Sequence, residues 1–231
     1  KPARARICTP SIAISALARA SQSAGSRANP DPEVKTHCAI LVLLMLSLAA
    51  WALDKPQGEV KIERKLDNYN IRGRNSAELR AAMNAKGPLN KELGKRFDAR
   101  TDWEIDWTYK WDKSLAEKGV YRLSQWTIQL NVKVILPRWE NSRDGLPFER
   151  RRWQVYQARL QLHEAGHVKL AERTATALDE TFSTISLFPS REKLEEAIRA
   201  RAAAILRKHT AFHLDYDRRT RHGKTQGAQF P

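Results

Sequence analysis

Along residues 102–112 apolar and polar side chains alternate without a break. The odd positions hold Trp103, Ile105, Trp107, Tyr109 and Trp111; the even ones hold Asp102, Glu104, Asp106, Thr108, Lys110 and Asp112. A period of two predicts a β-strand with one buried and one wet face. The tryptophans also recur every fourth residue, but a helix would turn Ile105 and Tyr109 away from them, so the strand fits better. Its aromatic face reads as core rather than as a ligand platform. A second alternation runs through Trp126, Ile128, Leu130, Val132, Val134 and Leu136, and Pro137 is expected to end it. A loop containing Gly119 separates the two runs, which predicts an antiparallel hairpin. Upstream, Val60, Ile62, Leu66, Tyr69 and Ile71 predict one or two short strands within residues 59–72. Asn75-Ser76 then opens a helix over residues 77–86, stopped by Gly87-Pro88.

From Leu146 onward the period becomes helical. Tyr156, Leu160, His163, His167, Leu170 and Thr174 share one face of a helix expected from Phe148 to Phe182. Pro189-Ser190 marks a turn and an N-cap, and a second helix follows with Leu194, Ile198, Ile205 and Phe212 on its apolar stripe. Strands first and helices afterwards define an α+β class: an antiparallel sheet packed on two long C-terminal helices. No internal repeat is visible.

The first fifty residues stand apart. Residues 39–50 are an apolar run of 12, too short for a comfortable membrane span, which needs about 20. Lys35 precedes the run and Ala50-Trp51-Ala52 follows it, as in a signal peptide cleaved after Ala52. Such a peptide would occupy residues 34–52 and deliver residues 53–231 outside a bacterial cytoplasm, secreted or periplasmic, with no stable membrane insertion afterwards. Residues 1–33, rich in Ala, Ser, Arg and Pro, read as a non-native or disordered extension.

Composition changes this picture in two ways. Both cysteines, Cys8 and Cys38, precede residue 52, so the remaining domain has neither disulfides nor a thiolate metal site. Any metal there is held by His, Asp or Glu. The formal net charge of +15 favours anionic partners. The basic runs Arg150-Arg151-Arg152, Arg218-Arg219 and Arg221 nevertheless read as solvated surface, and no nucleic-acid motif accompanies them, so no nucleic-acid partner is expected.

The chemistry lies in residues 163–167, His-Glu-Ala-Gly-His. On a helix His163 and His167 are one turn apart, so both imidazoles reach a single metal ion. Two neutral imidazoles suit Zn2+ and leave room for a third protein group and a water. Glu164 stands beside that face, where it can take a proton from water polarised by the metal and return it to a leaving amine. Gly166, a poor helix residue, points either to close approach of substrate or to helix packing.

The third ligand is open on this reading. Position 173 is Arg, which excludes the metzincin spacing. Glu192, Glu195 and Glu196 open the second helix. A helical hairpin turning at about residue 188 puts residues 209–213 opposite the motif instead, and the glutamates on the order of 20 Å away. His209, His213 and His222 remain. His209 and His213, four apart, could form a ligand pair of their own but read rather as partly exposed or core-edge residues. His222, in a loop able to fold back, is favoured over His213 as the metal ligand.

The ending Tyr216-Asp217-Arg218-Arg219-Thr220-Arg221-His222-Gly223-Lys224-Thr225-Gln226-Gly227 resembles the closing motif of a bacterial family known as domain of unknown function 922, described as predicted secreted zinc-dependent proteases. Ser76-Ala77-Glu78-Leu79-Arg80, the Trp103–Trp107 strand, Leu136-Pro137-Arg138-Trp139 and the His163-Glu164-x-Gly-His167 helix carry the same resemblance, which covers roughly residues 59–231. It implies His222 as the third metal ligand. It also makes Tyr216, Asp217 and Gln226 candidate groups behind the ligands or against substrate, with Tyr216 a candidate catalytic donor to a tetrahedral intermediate.

The expectation is therefore an exported zinc metalloprotease-like hydrolase. Glu164 is its general base, His163, His167 and His222 are its ligands, and its substrate is a peptide or protein, cell-wall peptide included. The alternative is a zinc-containing binding or assembly protein of the cell envelope that performs no turnover.

Overall fold

The computed structural model describes residues 7–8, 56–91 and 94–230. The expected signal peptide, and the expected extension apart from Ile7–Cys8, lie outside the described residues. In chain order the elements are β1 (Ile7–Cys8), β2 (Gln57–Ile71), α1 (Ser76–Lys86), β3 (Leu89–Asn90), β4 (Lys95–Arg96), β5 (Arg100–Trp111), α2 (Lys113–Ala116), β6 (Leu123–Trp139), α3 (Pro147–Ser183) and α4 (Arg191–Thr220). The class is α+β, a small sheet with the two long helices at the C-terminal end.

The hairpin forms as its alternation predicts. β5 pairs antiparallel with β6, Trp103 opposite Val132 and Trp107 opposite Ile128. Trp103, Ile105, Trp107 and Tyr109 are buried, as are Trp126, Ile128, Leu130 and Val132. The sheet as a whole is mixed rather than antiparallel, because β2 runs parallel to β6 over its full length, Gln57 beside Gln125 through Ile71 beside Trp139. The order β1-β5-β6-β2 explains this. β6, the most apolar strand, takes the centre, and β2, with Lys61, Glu63, Arg64 and Lys65, takes an edge where charged side chains stay wet. That also explains why β2 is one strand of 15 residues rather than one or two short ones.

Pro137 does not end β6, which runs on to Trp139. The ladder to β5 stops where Ile135 pairs with Arg100, so the missing N–H of Pro137 meets no strand there. Its carbonyl accepts instead from Gln157 Nε2 of α3 at 2.9 Å.

Two apolar clusters underlie the site. One joins the inner face of β5 and β6 to Ala171, Ala175, Leu178 and Phe182 of α3 and to Leu194, Ile198, Ala202 and Leu206 of α4. The other gathers Leu79 and Met83 of α1, Trp139, then Trp153, Tyr156 and Leu160 of α3, and the C-terminal Ala228 and Phe230. α3 passes from the second cluster to the first, and residues 163–167 fall between them. Polar groups on that stretch of helix are therefore held by apolar packing on both sides.

Candidate metal centre

α3 begins with Pro147 at its first turn, where the lost N–H costs nothing, and continues unbroken to Ser183. His163 and Glu164 are 4% and 5% exposed. α4 lies antiparallel to it, opened by Ser190, whose hydroxyl accepts from Lys193 N. This pairing sets Asp217 against both motif histidines. Asp217 Oδ1 lies 3.2 Å from His163 Nε2 and 3.0 Å from His167 Nε2. After α4 the chain makes a left-handed turn through Arg221, His222 and Gly223 (φ 49°, 53° and 80°). His222 Nδ1 comes to 3.6 Å from the same Asp217 oxygen, with its side chain 64% exposed. Gly223 is needed here, since a Cβ would sit 3.0 Å from His163 Cγ in a backbone conformation that L side chains rarely adopt.

Each histidine has a partner on its other nitrogen. His163 Nδ1 lies 3.0 Å from Gln226 Oε1, and Gln226 Nε2 donates to Tyr216 Oη at 3.1 Å. His167 Nδ1 lies 3.1 Å from His213 Nδ1. Tyr216 stacks on His163, its hydroxyl donating to the His163 carbonyl at 3.2 Å. Its ring fills the space at Gly166, where a Cβ would come within 2.1 Å of Tyr216 Oη. Gly166 thus serves helix packing.

The electrostatics follow from this packing. Burial alone would raise the Asp217 carboxyl, but hydrogen bonds from His163 and His167 overcome it and hold it far below the usual range. Burial opposes the charge on His163, yet Asp217, Glu164 and Gln226 together push its pKa up. For Glu164 burial dominates and raises the pKa, against the Thr101 hydroxyl that donates to Oε2 at 2.5 Å and the two neighbouring histidines. Burial brings His213 down to about 4.

Among the described residues, His163, His167 and Asp217 form a group whose donor atoms all lie within 4.8 Å of one another. Four donors placed 2.0–2.1 Å from a tetrahedral zinc stand about 3.4 Å apart. The separations from Asp217 Oδ1 to His163 Nε2 and His167 Nε2, 3.2 and 3.0 Å, lie just under that value, and His222 Nδ1 stands outside the group at 3.6 Å. The donor set, two imidazoles and a carboxylate with a third imidazole at the margin, suits zinc chemically.

A family model described as "Bacterial protein of unknown function (DUF922)" matches residues 66–223, more than half of the chain. The chain belongs to this family. Comparison with curated proteins gives no match. Comparison with solved structures likewise gives none. The DUF922 match runs from within β2 to Gly223, so it includes His163, Glu164, His167, Asp217 and His222 and stops short of Gln226.

In this DUF922 chain the structure brings together most of the residues that the sequence singles out, with a changed emphasis. Asp217, expected behind the ligands, stands with the convergent donor atoms of His163 and His167, and His222, expected as the third ligand, lies at the exposed margin. Tyr216 Oη is engaged with the His163 carbonyl and Gln226. Glu192, Glu195 and Glu196 are at the far end of α4, and Glu195 and Glu196 pair with Arg191 and Lys193. His209 binds Thr174 Oγ1 at 3.0 Å instead of joining the centre. Thr101 and the His213–His167 contact are not read from sequence. Thr101 lies 63 residues from Glu164 on another element, whereas His213 carries a usable signal, being four residues before Asp217 on one helix face.

Proposed function

We propose that this chain is an exported zinc-dependent hydrolase acting on peptide bonds of a peptide or protein, cell-wall peptide included. The observation that carries the reading is the convergence of His163 Nε2, His167 Nε2 and Asp217 Oδ1 beside the buried Glu164. Zinc held by these three residues, with His222 in reach, would supply a Lewis acid that polarises a carbonyl and lowers the pKa of water toward ~7.

The chain's own residues do the rest. Glu164 holds a carboxyl poised by burial, and Thr101 engages Oε2, so Oε1 is the atom that accepts a proton from water and later gives it to the leaving amine. Gln226 orients the His163 imidazole from behind. Tyr216 acts as a positioning residue, wedged at Gly166 between α3 and α4. Export rests on the apolar run at residues 39–50 and the small residues after it. No helix among the described residues is long and apolar enough to cross a membrane.

One observation favours a second reading. His222 Nδ1 stands 3.6 Å from Asp217 Oδ1 on an exposed turn, and if its side chain swung inward one ion would have four protein donors, a closed sphere that is the mark of a structural site in a binding or assembly protein. Glu164→Gln separates the two. The hydrolase loses peptide cleavage while keeping its metal; in the binding protein the substitution changes no turnover, because none occurs.

A further inference from the structure

A buried imidazole of α4 lies against the motif without being one of the convergent donors. His213 packs on Trp103 (ring centroids 5.4 Å apart, planes at 22°) and lies edge to edge with His167, the two imidazoles nearly coplanar (5.3 Å, 4°). Its Nδ1 is 3.1 Å from His167 Nδ1, and its Nε2 is buried with no hydrogen-bond partner. Two ring nitrogens at this distance share one hydrogen, one ring donating and the other accepting. The direction of that bond decides which nitrogen of His167 keeps a lone pair. When His167 Nδ1 donates, Nε2, which without metal gives its hydrogen to Asp217 Oδ1 at 3.0 Å, can release it and present a lone pair to a bound ion. When it accepts, Nε2 of the neutral ring carries the hydrogen and cannot ligate.

We propose that His213 is the positioning residue that selects the ligating form of His167, accepting its Nδ1 hydrogen so that Nε2 holds the metal, while neutral His213 keeps its own hydrogen on the buried Nε2. The inference rests on the metal-centre reading above. His163 receives the equivalent service from Gln226 Oε1, at 3.0 Å from its Nδ1. Each motif histidine therefore has its own acceptor, one from α4 and one from the turn beyond it. The spacing repeats the motif: His213 and Asp217 are four apart on α4, as His163 and His167 are on α3, so both nitrogens of His167 are gripped by one face of the opposite helix. The stack on Trp103 packs the His213 ring from the sheet side, which keeps its Nδ1 directed at His167.

The test uses zinc as the probe and the full chain with two substitutions. His213→Asn places an amide oxygen close to where Nδ1 lies; His213→Leu fills the space and accepts nothing. Zinc affinity is measured by competition with a chromophoric chelator, melting of the metal-free chains is recorded beside it, and histidine nitrogen resonances are read on zinc-loaded wild type. The expected result is an affinity about 10–100-fold weaker for His213→Leu, recovered to within about threefold by His213→Asn, with His167 protonated at Nδ1 in the loaded wild type. Wild-type affinity in a folded His213→Leu chain overturns the inference. So does equal loss in both variants while their metal-free melting matches wild type, since packing rather than the hydrogen bond would then be responsible. A loaded wild type carrying the hydrogen on His167 Nε2 overturns it without recourse to any variant. Should wild type itself take up no zinc, the metal-centre reading falls as well, whereas zinc uptake with an indifferent His213 removes this inference alone.

Discussion

Tyr216 occupies the space that Gly166 leaves open: a Cβ at 166 would lie 2.1 Å from the tyrosine hydroxyl and 2.3 Å from the ring carbon that bears it. α3 and α4 pack closely beside His163 and His167, and the missing side chain at Gly166 permits it. In an unconstrained helix Gly→Ala would stabilise by ~1 kcal/mol. Here overpacking reverses the sign. Gly166→Ala is expected to lower chain stability by about 1–3 kcal/mol and to weaken zinc binding with it, because Tyr216 must move and carries Gln226 along. Chemical denaturation of the metal-free chain measures the first effect and chelator competition the second. A Gly166→Ala chain more stable than wild type would show that α4 does not sit where described.

The roles of Asp217 and His222 are separable by their metal affinities. Asp217 meets both motif histidines at hydrogen-bonding distance, whereas His222 stands 3.6 Å off on an exposed left-handed turn. Asp217→Asn is therefore expected to cost at least tenfold more zinc affinity than His222→Ala, in line with the roughly 10–100-fold effects seen even for groups behind the ligands. The reverse order would return His222 to the place that the closing motif implies for it.

Stability of the metal-free chain should depend on pH through the same cluster. The Asp217 carboxyl is held below its ordinary range, so its contribution is present above about pH 4 and is lost as pH falls through the lowered folded value. His163 is raised, so its contribution is complete below about pH 6.5 and is lost as pH climbs through the raised folded value. The stability gap between wild type and Asp217→Asn, both metal-free, is accordingly widest between roughly pH 4 and 6.5. Thermal melts across pH 3–9 test this, and a gap that is flat over that range would exclude the ion pair.

Glu164 carries the opposite sign. Its pKa is raised by burial, so the charged form costs stability once pH exceeds the ordinary carboxylate range of about 4. A neutral amide avoids that cost and still accepts from Thr101. Metal-free Glu164→Gln is expected to melt above metal-free wild type at pH 7, while the zinc-loaded variant loses peptide hydrolysis, a stability gain at the expense of function. A lower melting temperature at pH 7 would mean that the carboxylate is stabilised by its surroundings.

The last residues act as an anchor for the turn that carries Gln226. Phe230 packs on Trp153 and Tyr156 at centroid distances of 5.4 and 5.0 Å, and its carbonyl accepts from Arg80 Nη2 at 2.9 Å. Phe230→Ala should destabilise the chain by about 3 kcal/mol, less where neighbouring side chains collapse into the gap. It should also weaken zinc binding, since Gln226 then loses its support. Unchanged affinity in a destabilised chain would uncouple the anchor from the centre.

What could be read from sequence follows from where side chains face. β5 and β6 alternate between core and water, and that contrast is visible in residues 102–112 and 126–136. β2 lies at an edge with most of its side chains exposed, so its alternation is faint; its parallel partnership depends on spatial order, which periodicity does not encode. His163 and His167 announce themselves by a spacing of four. Asp217 falls one helical turn beyond the residues that the hairpin expectation places opposite the motif. A pivot at 188 puts residues 209–213 opposite the motif, while the contacts His167–His213 and His163–Asp217 are both centred on residue 190. Two residues of error in the turn move the facing residue by a full turn of helix. Thr101 reaches Glu164 only through the packing of sheet on helix, for which no local pattern exists.

Zinc content is the most direct test of the centre. The full chain is stripped of metal, equilibrated with excess zinc, dialysed and analysed by plasma mass spectrometry beside His163→Ala. The centre described here predicts about one zinc per chain in wild type and a large loss in the variant. A folded wild-type chain that emerges from zinc-replete buffer without metal would contradict it, and would leave His163, His167 and Asp217 as a buried hydrogen-bonded cluster that serves the packing of α3 on α4.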